Sequence, residues 1–325
     1  MFRRRKFLSV VASLALAASA GSAFAQAWPT QPIRIIVPNV PGGSSDIISR
    51  LITKPLSDAF GVPVIVENRP GANGNIGAAA VAQATDGHTI LLCDLPSLAI
   101  SPSIYKNMPY DLSKDLQGVA MLAYSPHLLV VYPSVQASTL PELIALSKKT
   151  PLNVALPGTG TSNHLATVQL AQATGIQWTH VPYKGGAQAL TDTMAGNTQA
   201  VVNGMLATLP MVKSGKLKVI AVSSKARTPL LPSVPTIAEQ GVPNFESGTY
   251  QGAMAPSSMP KVNVAKLNAE LVKIIRSPAL KDKLQEMGAD VLTFDPAQTT
   301  DFVAKERVRW AAVIKQAGGN IEGAP

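Results

Sequence analysis

The chain has 325 residues, of which 46% are hydrophobic and 14% charged, and its 28 basic residues outnumber 19 acidic ones. A chain of this length can bury enough apolar surface for two lobes. A single cysteine, Cys93, excludes an intramolecular disulfide. No dense basic run follows residue 25, so no nucleic-acid partner is expected, and the modest basic surplus favours an anionic small ligand.

The first residues have the three parts of a secretory signal peptide. Residues 3–6 are all basic, residues 7–20 form an uncharged apolar run, and residues 23–25 form a small-x-small cleavage site. The apolar run is too short to span a membrane. We therefore expect cleavage after Ala25 and a periplasmic location. Residues 4–8 also resemble a twin-arginine signal, so both export routes remain open.

Strand and helix patterns alternate in the first part of the chain. The predicted strands cover residues 33–37, 62–66 and 89–93, and the predicted helices cover residues 45–54 and 75–84. Pro55 is expected to end or kink the first helix. This β-α-β-α-β order predicts an α/β lobe with a mostly parallel sheet.

The same alternation restarts near residue 127. Further strands are predicted over residues 127–132, 153–156, 177–181, 198–202 and 217–222, and helices over residues 140–148, 162–173, 186–194, 264–275, 279–287 and 296–316. Proline and glycine cluster between Pro229 and Pro260, where we expect the chain to cross back between lobes. The predicted division is residues 26–125 plus 246–325 for one lobe and residues 126–245 for the other.

Two turns in this pattern are alike. Residues 41–46 (PGGSSD) and residues 157–164 (PGTGTSNH) each follow a strand with a Pro-Gly turn, a cluster of hydroxyls and the start of a helix. A helix N-terminus offers unpaired N–H groups and a partial positive charge, which suit an anion. Ligands of open α/β sheets lie outside the carboxyl ends of the strands. The two turns therefore predict an anion site in a cleft between the lobes.

Enzymatic alternatives have weaker patterns. Residues 71–77 (GANGNIG) follow a strand and open a helix, and Asp94 ends the next strand, which would suit an exported, nucleotide-dependent oxidoreductase. The glycine spacing, however, is G-x-x-G-x-x-G rather than G-x-G-x-x-G. A hydrolase is a further alternative, but the sequence has no Gly-x-Ser-x-Gly elbow at a strand-to-helix turn. The four histidines after residue 25 show no metal-ligand spacing.

Several segments together resemble one known family, the substrate-binding proteins of tripartite tricarboxylate transporters, or Bug family. The matching segments are residues 32–38 (PIRIIVP), 41–46 (PGGSSD), 66–77 (VENRPGANGNIG), 158–166 (GTGTSNHLA), 180–185 (HVPYKG), 215–217 (GKL) and 234–236 (VPT). The resemblance implies a two-lobed type II periplasmic binding protein that closes around a small carboxylate. It further implies no catalysis, no cofactor and a cognate membrane permease that receives the ligand. We expect a monomer, although the sequence leaves the oligomeric state open.

The resemblance also implies which residues contact the ligand. The loop of the first lobe would hold the carboxylate, and loops of the second lobe would form the opposite wall, with Ser97 in a further contact region. These residues are Pro41, Gly42, Gly43, Ser44 and Ser45 in the first loop, and Thr159, Thr161, Ser162, Tyr183, Gly185 and Asn203 in the second lobe.

Two positions depart from the family pattern. Asn203 stands where the family commonly has an aspartate, and Tyr250 stands where it often has a tryptophan. Asparagine removes a negative charge that could meet an amino group. We therefore expect a di- or tricarboxylate, or an aromatic acid, rather than an amino acid, and Tyr250 is expected to alter the shape of the pocket.

Overall fold

The computed structural model describes residues 28–316, so the predicted signal peptide and its cleavage site lie outside the described residues. These residues form two α/β lobes. The strands are β1 (Ile33–Val37), β2 (Val64–Asn68), β3 (Thr89–Asp94), β4 (Leu116–Val131), β5 (Leu152–Leu156), β6 (Trp178–Pro182), β7 (Ala200–Gly204), β8 (Lys218–Val222), β9 (Gly248–Pro256) and β10 (Asp290–Phe294).

Helices cover both faces of the sheets. They are α1 (Ser44–Phe60), α2 (Asn75–Ala82), α3 (Leu95–Ile104), α4 (Leu112–Asp115), α5 (Leu140–Lys149), α6 (Ser162–Thr174), α7 (Gly186–Met194), α8 (Met205–Lys213), α9 (Lys261–Ile275), α10 (Pro278–Glu286) and α11 (Pro296–Gln316).

The first lobe is built on strands in the order β2-β1-β3-β9-β4, with β10 also paired to β4. Its core shows why α1 forms and where it packs. Ile48, Ile52 and Leu56 recur at helical spacing, are fully buried, and belong to the same apolar cluster as Ile33 and Ile35 of β1. β1 is buried on both faces, as expected for a strand covered by helices on both sides.

The second lobe shares the long strand β4 with the first. Up to Pro126 β4 pairs with β9, and from His127 onward it pairs with β7 and β8. β5 then pairs in parallel with both β6 and β7. The chain returns to the first sheet at β9, within the proline- and glycine-rich stretch where a crossing was predicted.

The two-lobed α/β prediction is confirmed, but each sheet is mixed rather than mostly parallel. β1, β2 and β3 are parallel, as are β5, β6 and β7, whereas every pairing of β4 and β9 is antiparallel. The sequence patterns missed β9, β10 and the first part of β4. Gly118 lies at a register shift in the pairing of β4 with β9, and it lets α11 approach β4 closely, because a Cβ there would lie 2.6 Å from the carbonyl oxygen of Pro296.

Of the two outcomes predicted for Pro55, an end or a kink of the helix, the first is wrong. α1 continues through Pro55 to Phe60 and stops at Gly61, which has the left-handed φ of 68° and donates its N–H to the carbonyl of Ser57. Pro55 lies on the exposed side of the helix. There the carbonyl that proline leaves unpaired can bind water, which offsets part of the usual penalty.

Candidate functional site

A cavity lies between the lobes at the carboxyl ends of several strands, as the topology predicts. We call it the inner cavity. Its lining residues are Pro38, Asn39, Gly43, Ser44, Ser45, Asn73, Gly74, Cys93, Asp94, Ser97 and Leu98 from the first part of the chain, Pro157, Thr161, Asn163, Gly186 and Asn203 from the second lobe, and Thr249 and Gln251 from β9.

Helices α1 and α7 both open on this cavity from glycine N-caps, without a side-chain cap. α1 begins after Gly43 and α7 begins after Gly185, and neither N-cap glycine supplies a side-chain hydrogen bond. The first-turn N–H groups of a helix have no intrahelical acceptor and carry a partial positive charge. The starts of α1 and α7 can therefore donate hydrogen bonds to an anion in the cavity.

α6 also starts at this cavity, but hydroxyl groups of the protein already accept N–H groups of its first turn. The Thr161 hydroxyl accepts the N–H of His164 at 3.3 Å, and the N–H of Ser162 donates to the Ser97 hydroxyl at 3.1 Å. His164 in turn accepts the N–H of Gly160 at 2.9 Å through its Nδ1. The second of the two similar turns is therefore more fully hydrogen-bonded than the first, a difference that their sequences do not reveal.

The structure places half of the predicted site residues on the inner cavity. They are Gly43, Ser44, Ser45, Ser97, Thr161 and Asn203. Ser45 donates its hydroxyl to Gln251 Oε1 at 2.7 Å, which joins α1 to β9. The contacts of these residues with a ligand remain a prediction.

The other six predicted residues do not line the inner cavity. Gly42 donates its N–H to Asp46 at 2.9 Å, has a φ of 88°, and approaches Ala187 of α7 so closely that a Cβ would lie 3.3 Å from it. Pro41 belongs to the same loop. A Cβ on Gly185 would lie 2.8 Å from Val40. These glycines let the two loops approach each other across the cleft.

Asn203 is held in place by its neighbours. Its Nδ2 donates to the Thr208 hydroxyl at 3.1 Å, and its Oδ1 lies 3.5 Å from the donor Nδ2 of Asn163. A Cβ on Gly186 would lie only 2.8 Å from Asn203 Oδ1, so the glycine allows α7 to start against this side chain. Asn203 thus presents its amide as a fixed, uncharged part of the wall.

Asp94 occupies a different environment from the one a nucleotide fold would give it. Its Oδ2 accepts the hydroxyls of Ser97 at 2.5 Å and Ser162 at 2.6 Å, and its Oδ1 accepts the N–H of Tyr250 at 2.8 Å. Burial raises the pKa of this carboxyl, and the hydrogen bonds from Ser162, Ser97 and Tyr250 only partly offset that rise. Asp94 therefore links α3, α6 and β9 across the two lobes.

Asn73 makes a second link between the lobes that the sequence did not indicate. Its Nδ2 donates to the carbonyl of Gly160 at 3.0 Å and to the Ser101 hydroxyl at 3.3 Å. The Asn73 backbone has a φ of 54°, in the left-handed region that asparagine tolerates better than most residues. This conformation aims the amide at the opposite lobe.

Tyr250 does not line the inner cavity, contrary to the expectation that it shapes the pocket there. Successive side chains of a strand point to opposite faces. Thr249 and Gln251 therefore face the inner cavity, while the Tyr250 ring packs between Tyr124, at 4.7 Å between ring centroids, and Phe302, at 5.1 Å.

The glycines of residues 71–77 allow this segment to pack closely against its neighbours. A Cβ on Gly77 would lie 3.0 Å from the carbonyl oxygen of Arg69 and 3.0 Å from the Pro38 side chain, and one on Gly74 would lie 3.1 Å from Pro38. These glycines bring the segment close to the loop that follows β1. Asp94 is hydrogen-bonded to Ser97, Ser162 and Tyr250. The two features that suggested a nucleotide site, the glycines and Asp94, therefore hold the segments around the cleft together.

A second cavity, which we call the outer cavity, adjoins the first. It is lined by Pro38, Asn39, Gly71, Ala72, Asn73, Gly74, Tyr105, Pro157, Gly158, Thr159, Thr161, Pro182, Tyr183, Lys184 and Gln188. Two more predicted site residues, Thr159 and Tyr183, lie here. The Tyr183 hydroxyl donates to Asp192 Oδ2 at 2.5 Å, so its ring rather than its hydroxyl is free to contact a ligand.

Residues 28–316 contain no helix that is both long and apolar enough to cross a membrane. Within the same range, no three histidine, cysteine, aspartate or glutamate side chains are grouped so that they could hold a metal ion.

Comparison with known proteins identifies the family. Residues 48–319 match the family model described as tripartite tricarboxylate transporter family receptor. Protein BugT of Bordetella pertussis is 36% identical, with 95% of this chain and 96% of that protein covered. The R. palustris protein Rpa4515, solved with adipate, is 33% identical with a TM-score of 0.86, over 90% of this chain and 98% of that one.

A second solved relative is MatC from Rhodopseudomonas palustris, which contains bound malate. It is 30% identical with a TM-score of 0.82, over 88% of this chain and 100% of that chain. Members of this family are periplasmic solute receptors. The chain belongs to the tripartite tricarboxylate transporter receptor family, as the resemblance in its motifs indicated.

Proposed function

We propose that this protein is a periplasmic receptor that captures a small carboxylate between its lobes and delivers it to a tripartite tricarboxylate-type membrane permease. The observation that carries the proposal is the pair of uncapped helix starts at α1 and α7, which meet at one cavity from opposite lobes. Each supplies N–H donors for a carboxylate, and a buried anion is tolerated only when its oxygens are hydrogen-bonded.

The proposed ligand is a di- or tricarboxylate or an aromatic acid. The relatives solved with adipate and malate support an acid with two carboxylates. Asn203 supports the same choice, because its uncharged amide gives an ammonium group no anionic partner at this position. Asp94 is the acid on the inner cavity that could pair with an ammonium group, but its oxygens already accept three hydrogen bonds.

The proposed cycle involves a change of shape and no chemical step. We propose that residues 26–125 plus 246–325 and residues 126–245 move as two lobes about the β4 and β9 crossings. The carboxylate binds to one lobe first, and closure brings the second set of donors to it. Closure then favours the state that the permease recognises. The protein would act as a monomer, without a cofactor, after export and cleavage behind Ala25.

A thermal-shift screen of the exported protein, purified from the periplasm, tests this function. A ligand that binds only the folded state raises the melting temperature through mass action. We expect di- or tricarboxylates or aromatic acids to raise it, and amino acids and nicotinamide nucleotides to leave it unchanged. A shift with nucleotides alone would support the oxidoreductase alternative, and a shift with amino acids alone would refute the proposed ligand class.

A further inference from the structure

The charges that line the two cavities differ in sign. Among the described residues, Asp94 is the single charged side chain lining the inner cavity, and Lys184 is the single charged side chain lining the outer one. The cavities are continuous, since they share Pro38, Asn39, Asn73, Gly74, Pro157 and Thr161. A ligand that reaches through both would therefore meet an acid at its inner end and a base at its outer end.

The inner cavity has donors for one carboxylate and a repulsive group for a second. α1 and α7 offer free N–H groups, whereas α6 is capped by Thr161. The hydroxyls of Ser97 and Ser162 are donated to Asp94, so they are not available to a ligand. A second carboxylate placed here would lie near Asp94 without an opposing cation, and like charges at short range in a partly desolvated site repel strongly.

The outer cavity provides the features that a second carboxylate needs. Lys184 is exposed at its edge, and the described residues include no acid among the lining that would compete for it. Tyr105 and Tyr183 contribute ring surface along which a methylene chain can pack. Thr159 adds a hydroxyl donor on the same wall.

We propose that the outer cavity is the subsite for the distal carboxylate of an extended dicarboxylate, with Lys184 as its cationic partner. The proposal rests on the proposed function, because the proximal carboxylate is held in the inner cavity by α1 and α7. It narrows the ligand class to acids whose two carboxylates are separated by a chain long enough to pass Asn73. In such a ligand the second charge is directed away from Asp94.

Calorimetric titration of matched acids tests the subsite. Adipate and hexanoate have the same number of carbons but two carboxylates and one, respectively. We expect Lys184→Gln to weaken adipate binding about five- to tenfold. An ion pair in a half-open cleft contributes more binding free energy than an ion pair on an exposed surface. Hexanoate binding should change less than twofold, and Lys184→Arg should retain most of the adipate affinity.

Lys149→Gln is the matched control, because Lys149 is an exposed lysine at the end of α5, away from both cavities. It should change neither affinity. An equal loss for both acids in Lys184→Gln, or an unchanged adipate affinity, would overturn the subsite while leaving carboxylate capture intact. If the wild-type protein binds neither these acids nor any other carboxylate, the proposed function itself fails.

Discussion

Replacing Asp94 with alanine is expected to lower the free energy of unfolding by about 2–3 kcal/mol at pH 5. The substitution leaves the hydroxyls of Ser97 and Ser162 and the N–H of Tyr250 without their acceptor. An unpaired buried donor costs about 1–3 kcal/mol, and relaxation of the serine hydroxyls recovers part of the total. Chemical denaturation of both proteins measures the difference.

The loss should become smaller as the pH rises above 3.8, the usual pKa of an aspartate. Burial raises the pKa of Asp94 above the usual 3.8, despite the opposing hydrogen bonds. A carboxyl with a raised pKa binds its proton more tightly in the folded state than in the unfolded state. Its contribution to stability is therefore complete below the unfolded pKa and declines as the pH rises through the folded pKa.

Asp86→Ala provides a matched control with the opposite pH dependence. Asp86 also accepts three hydrogen bonds, from the N–H groups of His88 and Thr89 and from the Thr89 hydroxyl. Burial acts to raise its pKa, but these bonds outweigh it and lower the pKa below 3.8. Its contribution should be lost as the pH falls, so parallel pH profiles for the two variants would contradict our description of Asp94.

Replacing Asn73 with aspartate should raise the dissociation constant for carboxylates at least tenfold. The Asn73 amide donates to the Gly160 carbonyl of the opposite lobe, and a carboxylate oxygen there would repel that carbonyl instead. Aspartate accepts the left-handed backbone of this position nearly as well as asparagine. The fold should therefore remain stable while closure is weakened, as calorimetric titration and melting temperature together would show.

Two further variants distinguish the effect of the lost inter-lobe hydrogen bond on binding from the effect of the added negative charge. Asn73→Gly keeps the left-handed backbone and removes the amide without adding a charge, and should weaken binding about threefold through loss of the hydrogen bond to Gly160 of the opposite lobe. Asn244→Asp makes the same chemical change at an exposed asparagine that also has a positive φ, and should leave binding unchanged. An unaltered affinity in Asn73→Asp would show that this contact does not contribute to closure.

The sequence predicted the features that are local and missed those that join distant segments. The starts of α1 and α6 were recognisable because a Pro-Gly turn, a hydroxyl cluster and an apolar helical pattern lie within a few residues. The bond from Asp94 to Tyr250 spans 156 residues, and that from Ser45 to Gln251 spans 206. No pattern along the chain relates such residues before β9 is placed beside β3.

Strand β9 carries two residues of the inner cavity, Thr249 and Gln251, that the sequence patterns missed. Its run contains small and polar residues, so it lacks the apolar β-branched pattern that marks β1 and β3. Once β9 pairs with β3 and β4, strand alternation directs Thr249 and Gln251 to the inner cavity and Tyr250 away from it. The Asn73 contact was missed for a related reason, because it depends on how closely the two lobes approach.

Calorimetric titration of a dicarboxylic acid and its diamide tests the central claim most directly. The pair adipate and adipamide has the same chain and nearly the same shape, but the diamide lacks the negative charge that the helix starts at α1 and α7 would stabilise. We predict that the acid binds at least a hundredfold more tightly than the diamide. Equal affinity for the two compounds, or binding of the diamide alone, would contradict an anion site at these helix starts.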